Sequence, residues 1–130
     1  MAAERETVSA NESIPGVMLI TGTRKGIGQH LAQRYLARGW TVAGCSREAP
    51  EGTTDARYHH YRLDVADEAA VVSMVRDVRE RLGPIEVLIN NAGIASMNHL
   101  LLTPAATIER IVATNVFDTF LVMRDVAKGM

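Results

Sequence analysis

Hydrophobic spacing along this chain switches repeatedly between two periods. Val17-Met18-Leu19-Ile20-Thr21 is an unbroken apolar run, the mark of a strand buried on both faces. It leads into the turn Thr21-Gly22-Thr23-Arg24-Lys25-Gly26-Ile27-Gly28. Ile27, Leu31, Tyr35 and Leu36 then form a helical stripe that Gly39 stops. Residues 41–45 predict a second short strand. Residues 46–57, rich in Pro, Gly and Glu, predict a loop, and 58–63, aromatic and bounded by turns, a third strand. Val71, Met74, Val75, Val78 and Leu82 recur at helical spacing across 67–82, and Gly83-Pro84 ends that helix. Residues 86–90 carry the run Val87-Leu88-Ile89. A long helix is predicted from Pro104 to about Lys128, with Thr103 as its N-cap.

Strands separated by helices imply a parallel sheet with right-handed crossovers. The expected fold class is therefore α/β, a Rossmann-type doubly wound parallel sheet. It is expected to be incomplete, with strand order 3-2-1-4, the mononucleotide-binding half of such a fold. Residues 1–16 are polar, end in Pro15-Gly16, and are expected to form a flexible tail, leaving 17–130 as the nucleotide-binding portion.

Composition narrows the function classes. At 130 residues the chain is one domain at most, and 47% hydrophobic with 22% charged residues excludes disorder. A net charge of −1 gives no global attraction to nucleic acid or anionic membrane. No apolar run reaches the ~18 residues of a membrane span. The single Cys45 excludes an internal disulfide framework and a Cys-rich zinc site, and fits a cytoplasmic setting. Cys45 is expected to be a small buried apolar residue. His59-His60 are neighbours on a strand and so point to opposite faces, which is poor ligand geometry. A structural role is expected for them, and no metal site.

Chemistry concentrates at the glycine-rich turn. Gly22-x-x-x-Gly26-x-Gly28 joins a buried strand to an amphipathic helix, one residue different from the general dinucleotide spacing. Glycine permits positive φ and lets backbone N–H groups approach a pyrophosphate, and the helix N-terminus adds partial positive charge. Gly22, Thr23, Arg24, Lys25, Gly26, Ile27 and Gly28 are the candidate phosphate-binding set. Between Val17 and Arg47 there is no Asp or Glu, but there are Arg24, Lys25, Arg34, Arg38 and Arg47. Arg34 and Arg38 are expected on a solvated helix face, and the other three near the phosphates.

The second strand ends Gly44-Cys45-Ser46-Arg47, with no acid at its tip. A carboxylate there would bond the ribose hydroxyls of NAD, whereas a cation suits the 2′-phosphate of NADP. Arg47 can form a bidentate phosphate pair, supported by Ser46 and Lys25. Glu48 is the competing signal, about twenty residues past the motif, but it stands one or two positions late for the ribose. NADP(H) is the expected cofactor.

Four segments in order now carry a resemblance: Thr21-Gly22-x-x-x-Gly26-Ile27-Gly28; Leu63-Asp64-Val65 after the third strand; Asn90-Asn91-Ala92-Gly93 after the fourth; and Asn115 in the following helix. Together they resemble the short-chain dehydrogenase/reductase family over about residues 17–130. The resemblance implies an oxidoreductase that moves a hydride between nicotinamide and a carbonyl or alcohol substrate. It implies that Asp64, next to Val65, accepts from the adenine amino group. It implies that Asn91, Ala92 and Gly93 stabilise the sheet and line the cofactor ribose, and that Asn115 is a catalytic position holding a water of a proton relay. Met97 and His99 are candidates to border a substrate pocket.

The family's proton-transferring Tyr-x-x-x-Lys is absent: Tyr35 is followed four residues on by Gly39, Tyr58 by Arg62 and Tyr61 by Val65. The expectation is an N-terminal, cofactor-binding part of an NADP(H)-dependent oxidoreductase, inactive by itself. The alternative is a short nucleotide-binding or partner-docking protein without turnover. Ile108, Ile111, Val112, Val116, Phe117, Phe120, Leu121 and Met123 give the last helix more apolar surface than a half-sheet covers. Self-association through residues 104–128 is expected of the full-length protein.

Overall fold

The computed structural model describes residues 15–130. Residues 1–14 of the expected tail lie outside the described residues. Gly16 already joins the sheet, its carbonyl accepting the Thr41 N–H at 3.2 Å.

Strands β1 (Val17–Thr21), β2 (Thr41–Ser46), β3 (Tyr58–Arg62) and β4 (Ile85–Ile89) form one parallel sheet in the order β3-β2-β1-β4. This is the topology the alternating periods imply, with strand ends within a residue of those expected. Helix α1 (Gly26–Ala37) covers one face, and α2 (Glu68–Arg81) packs on the other with α4 (Asp118–Ala127). The period of two divides the apolar run accordingly. Met18, Ile20 and Val42 pack with Ala32 and Leu36 under α1, while Val17, Leu19, Ala43 and Cys45 pack with Val71, Met74, Val75, Val78, Val122 and Val126. Arg79 ties the second layer together by donating to the Asp125 and Val126 carbonyls at the end of α4, at 2.6 and 2.9 Å.

Three expectations need correction. Ile27 does not face the core: it is 73% exposed, and α1 buries Gly28, Ala32 and Leu36 instead. The close seat of Gly28 against the Gly22 carbonyl fixes the rotation of the helix and turns Ile27 outward. Thr103 is not a helix N-cap. Its hydroxyl donates to the His99 carbonyl at 3.0 Å, closing a 3₁₀ turn over Leu100–Leu102. Nor is the last helix continuous. It runs as α3 (Ala105–Val112), a π turn over Ala113–Phe117, and α4. A π turn inside a helix has no signature in hydrophobic periodicity, and such turns gather at functional sites.

Cys45 is fully buried, and burial pushes its thiol up to about 11. The native thiol is therefore expected to resist alkylation at pH 7.5 and to react once denaturant unfolds the chain. Equal labelling rates with and without denaturant would contradict its place in the core.

Candidate functional site

The C-terminal ends of the strands open into a cavity of about 530 Å³. Its floor is the turn after β1. Gly22 and Gly26 have φ of +72° and +63°, which glycine alone adopts without strain. A Cβ on Gly26 would meet nothing within 4 Å, so the backbone there fronts open space. A Cβ on Gly28 would overlap the Gly22 carbonyl oxygen and lie 2.6 Å from Asn91 Nδ2. The start of α1 is thus pressed onto the turn, and its first turn carries no acidic residue. The Gly22 and Thr23 N–H groups are used on the Cys45 carbonyl at 2.9 and 3.2 Å, and the open N-terminus of α1 beyond them is an arrangement that can receive an anion.

The remaining walls come from the other strand ends. From the glycine turn, Gly22, Arg24 and Lys25 line the cavity, with Ser46, Arg47 and Glu48 from the β2 loop. Asp64 and Val65 close it beyond β3, and Ala92, Gly93 and Ile94 beyond β4. Asp64 Oδ1 accepts the Ala66 N–H at 2.9 Å, which shapes its own turn, while the residue stays exposed at the cavity wall. The cations differ in their commitments. Arg24 is held between Glu48 and Glu51 at 3.0 and 2.9 Å. Lys25 and Arg47 are exposed and form no ion pair among the described residues.

Some expected site residues support the cavity from outside it. Thr23 is buried, its hydroxyl 2.8 Å from the Tyr58 hydroxyl. Asn91 turns toward β1, Nδ2 donating to the Thr21 and Gly22 carbonyls, both at 3.1 Å. The Asn91 and Ala92 N–H groups donate to Thr21 Oγ1 at 3.0 and 2.9 Å. The loop after β4 is thereby stapled to the glycine turn. Asn115 sits in the π turn and clamps the same loop from the other side. Its Oδ1 accepts the Ile94 N–H at 2.9 Å, and its Nδ2 donates to the Ile94 carbonyl at 2.8 Å. Each end of the amide makes one of its two possible hydrogen bonds to Ile94, and the exposed side chain keeps a second donor and a second acceptor position. Met97 is fully exposed and His99 caps the 3₁₀ turn at Leu101; neither lines the cavity.

Two features escaped the sequence reading. Asp118 is 3% exposed at the start of α4, and its Oδ2 is buried without a hydrogen-bond partner. Burial, helped by the negative charge of Asp64, pushes its carboxyl up to about 6. The signal was an acid set among Phe117, Phe120, Leu121 and Val122. The second is a hydrogen-bonded chain under the cavity rim, formed by Thr23, Tyr58, His60 and Ser46. Its signal was Tyr58 and His60 at a spacing of two on one strand.

Residues 16–130 match the family described as short chain dehydrogenase. The chain belongs to that family. Among its relatives is the 2-(R)-hydroxypropyl-CoM dehydrogenase of Xanthobacter autotrophicus, 37% identical over 126 residues, covering 88% of this chain and 50% of the relative. The ligand-free aldohexose dehydrogenase of Thermoplasma acidophilum superposes with a TM-score of 0.82 at 28% identity, over 89% of this chain and 44% of that one. The structure of ElxO with NADP bound superposes at 0.81 and 28% identity, over 88% and 50%. The chain spans about half the length of the curated short-chain dehydrogenases it matches first. Among the described residues no helix is long and apolar enough to cross a membrane.

Proposed function

We propose that this chain binds NADP(H) and serves an oxidoreductase acting on a small carbonyl or alcohol substrate, in the cytoplasm. The observation that carries the cofactor choice is the charge arrangement at the end of β2. Ser46 and Arg47, which forms no ion pair among the described residues, front the cavity, while Glu48, the acid that would favour NAD, is held by Arg24. A ribose-binding carboxylate needs free oxygens aimed at two hydroxyls, and a 2′-phosphate needs a cation without a competing acid.

In this reading the glycine turn from Gly22 to Gly28 holds the pyrophosphate, and Lys25 and Arg47 hold the 2′-phosphate. Asp64 would accept from the adenine amino group, with Val65 beside it in the cavity lining. Ala92 and Gly93 lie against the ribose, positioned by Asn91. When bound, NADPH would supply a hydride to a carbonyl carbon, becoming NADP⁺, and the resulting alkoxide would take a proton from water. Asn115 contributes to the proton path by holding a water through its main-chain carbonyl or its side chain. The 130 residues hold no Tyr-x-x-x-Lys, so by themselves they are expected to bind cofactor without turnover. The exposed stripe Ile108, Val112, Val116 and Phe120 on the α3–α4 segment supports self-association of the full-length protein.

Arg47→Asp tests the cofactor assignment. It replaces the cation by a carboxylate, and NADPH affinity is expected to fall about tenfold while NADH affinity holds or rises. Titration of both cofactors by nicotinamide fluorescence reads the ratio. An unchanged NADPH preference would overturn the assignment.

A further inference from the structure

Beneath the cavity rim, on the α1 side of the sheet, four side chains form a continuous hydrogen-bonded chain. Gly44 pairs with His60 and Val42 with Tyr58 in the β2–β3 register. Tyr58, His60 and Ser46 therefore share one face. Gly44 makes the arrangement possible, because a Cβ there would collide with Thr23 Oγ1 and the Tyr58 hydroxyl. The links are Thr23 Oγ1 to Tyr58 Oη at 2.8 Å, Tyr58 Oη to His60 Nδ1 at 2.7 Å, and His60 Nε2 to Ser46 Oγ at 2.8 Å.

Proton counting sets the direction of every link. The Ser46 hydroxyl donates its one proton to the Glu48 carbonyl at 2.5 Å. Its oxygen therefore accepts from His60 Nε2–H. Nδ1 of the neutral ring is then an acceptor, so Tyr58 donates to it, and Thr23 donates to Tyr58. His60 Nε2 also lies 3.2 Å from the Glu48 carbonyl. That second contact is what matters. If the Ser46 proton turns toward a ligand in the cavity, the one His60 Nε2–H, shared in a three-centre bond between Ser46 Oγ at 2.8 Å and the Glu48 carbonyl at 3.2 Å, still serves both acceptors. Ser46 is thus a donor that can be redirected without leaving a polar atom unsatisfied.

We propose that His60 is the positioning residue for the cofactor's 2′-phosphate: its shared Nε2–H fixes Ser46 Oγ at the rim and remains the donor to the Glu48 carbonyl when the Ser46 hydroxyl donates to a phosphate oxygen. Tyr58 and Thr23 hold the ring in the tautomer that does this. The proposal rests on the NADP(H) reading. It goes further by assigning discrimination of a phosphate monoester from a hydroxyl to a residue that does not itself touch the ligand.

The test is a set of titrations of the protein with NADPH and with NADH. The variants are His60→Leu, His60→Gln, Ser46→Ala and the double Ser46→Ala/His60→Leu. His60→Leu is expected to weaken NADPH about fivefold and NADH less than about twofold. Glutamine offers an N–H where Nε2–H stood, so His60→Gln is expected to restore most of the NADPH loss. In the Ser46→Ala background, His60→Leu should add almost nothing, because the two residues act as one unit. Equal loss of both cofactors in His60→Leu, a glutamine variant no better than leucine, or additive losses in the double variant would each overturn the proposal while the NADP(H) reading stands. A wild-type protein that prefers NADH would overturn both.

Discussion

Gly28→Ala is expected to destabilise the protein by about 2–3 kcal/mol, the range of an overpacked contact between rigid groups, and to weaken cofactor binding more than tenfold. The new methyl would overlap the Gly22 carbonyl oxygen and crowd Asn91 Nδ2 at 2.6 Å. Neither neighbour can give way cheaply. The carbonyl is main chain in a turn already fixed by positive φ at Gly22, and Asn91 is bound at both the Thr21 and Gly22 carbonyls. Relief requires α1 to retreat from the turn, which withdraws the N–H groups of its first turn from the anion it would receive. Gly26→Ala is the matched control. Its methyl enters open space, so its stability cost is only the strain of φ +63°, about 1 kcal/mol. Denaturant unfolding of both variants, with NADPH titration at the same temperature, checks the contrast. A Gly28→Ala protein as stable as wild type would show that the helix is not pressed onto the turn in solution.

The same contact explains what the sequence could reveal. Period-two and period-3.6 spacing placed β1 to β4 and the sheet order, because strands buried on both faces and helices with one buried stripe leave opposite patterns. Spacing alone put Ile27 in that stripe, since its place is one helical turn before Leu31. The rotation of α1 is set by a backbone contact at Gly28, and a residue without a side chain leaves no mark in a hydrophobic pattern. The candidate site was legible in outline for a similar reason. Gly22, Lys25, Ser46, Arg47, Asp64 and Gly93 come from turns at one end of a parallel sheet, and topology alone brings those turns together. Division of labour within the site was not legible. Nothing in the order of residues says that Arg24 is held by Glu48 and Glu51 while Arg47 forms no ion pair among the described residues, or that each end of the Asn115 amide bonds to Ile94. Those depend on side-chain directions fixed only once the loops are packed.

Asp118→Asn is expected to stabilise the protein by about 2 kcal/mol at pH 7 and by only a small part of that at pH 4. In the folded chain the carboxyl is raised to about 6, first by burial and then by the charge of Asp64. Its ordinary value is near 3.8. Well below pH 3.8 the group is protonated whether the chain is folded or not, and the penalty is only beginning at pH 4. As pH rises from 4 to 6, the unfolded chain releases its proton first, so stability falls across that window. Above pH 6 both states are ionised and the cost stays constant. The expected gain is set below full conversion of the shift, because part of the Asp64 field reaches Asp118 through solvent and the new Nδ2 needs a partner where Oδ2 has none. Denaturant unfolding of both proteins at pH 4, 5 and 7 reads the effect. Asp64→Asn supplies the internal check, since it removes the second cause and should recover a smaller part of the same gain over the same pH window. A stability difference between Asp118→Asn and wild type that does not change with pH would mean that the buried carboxyl is not charged against its surroundings.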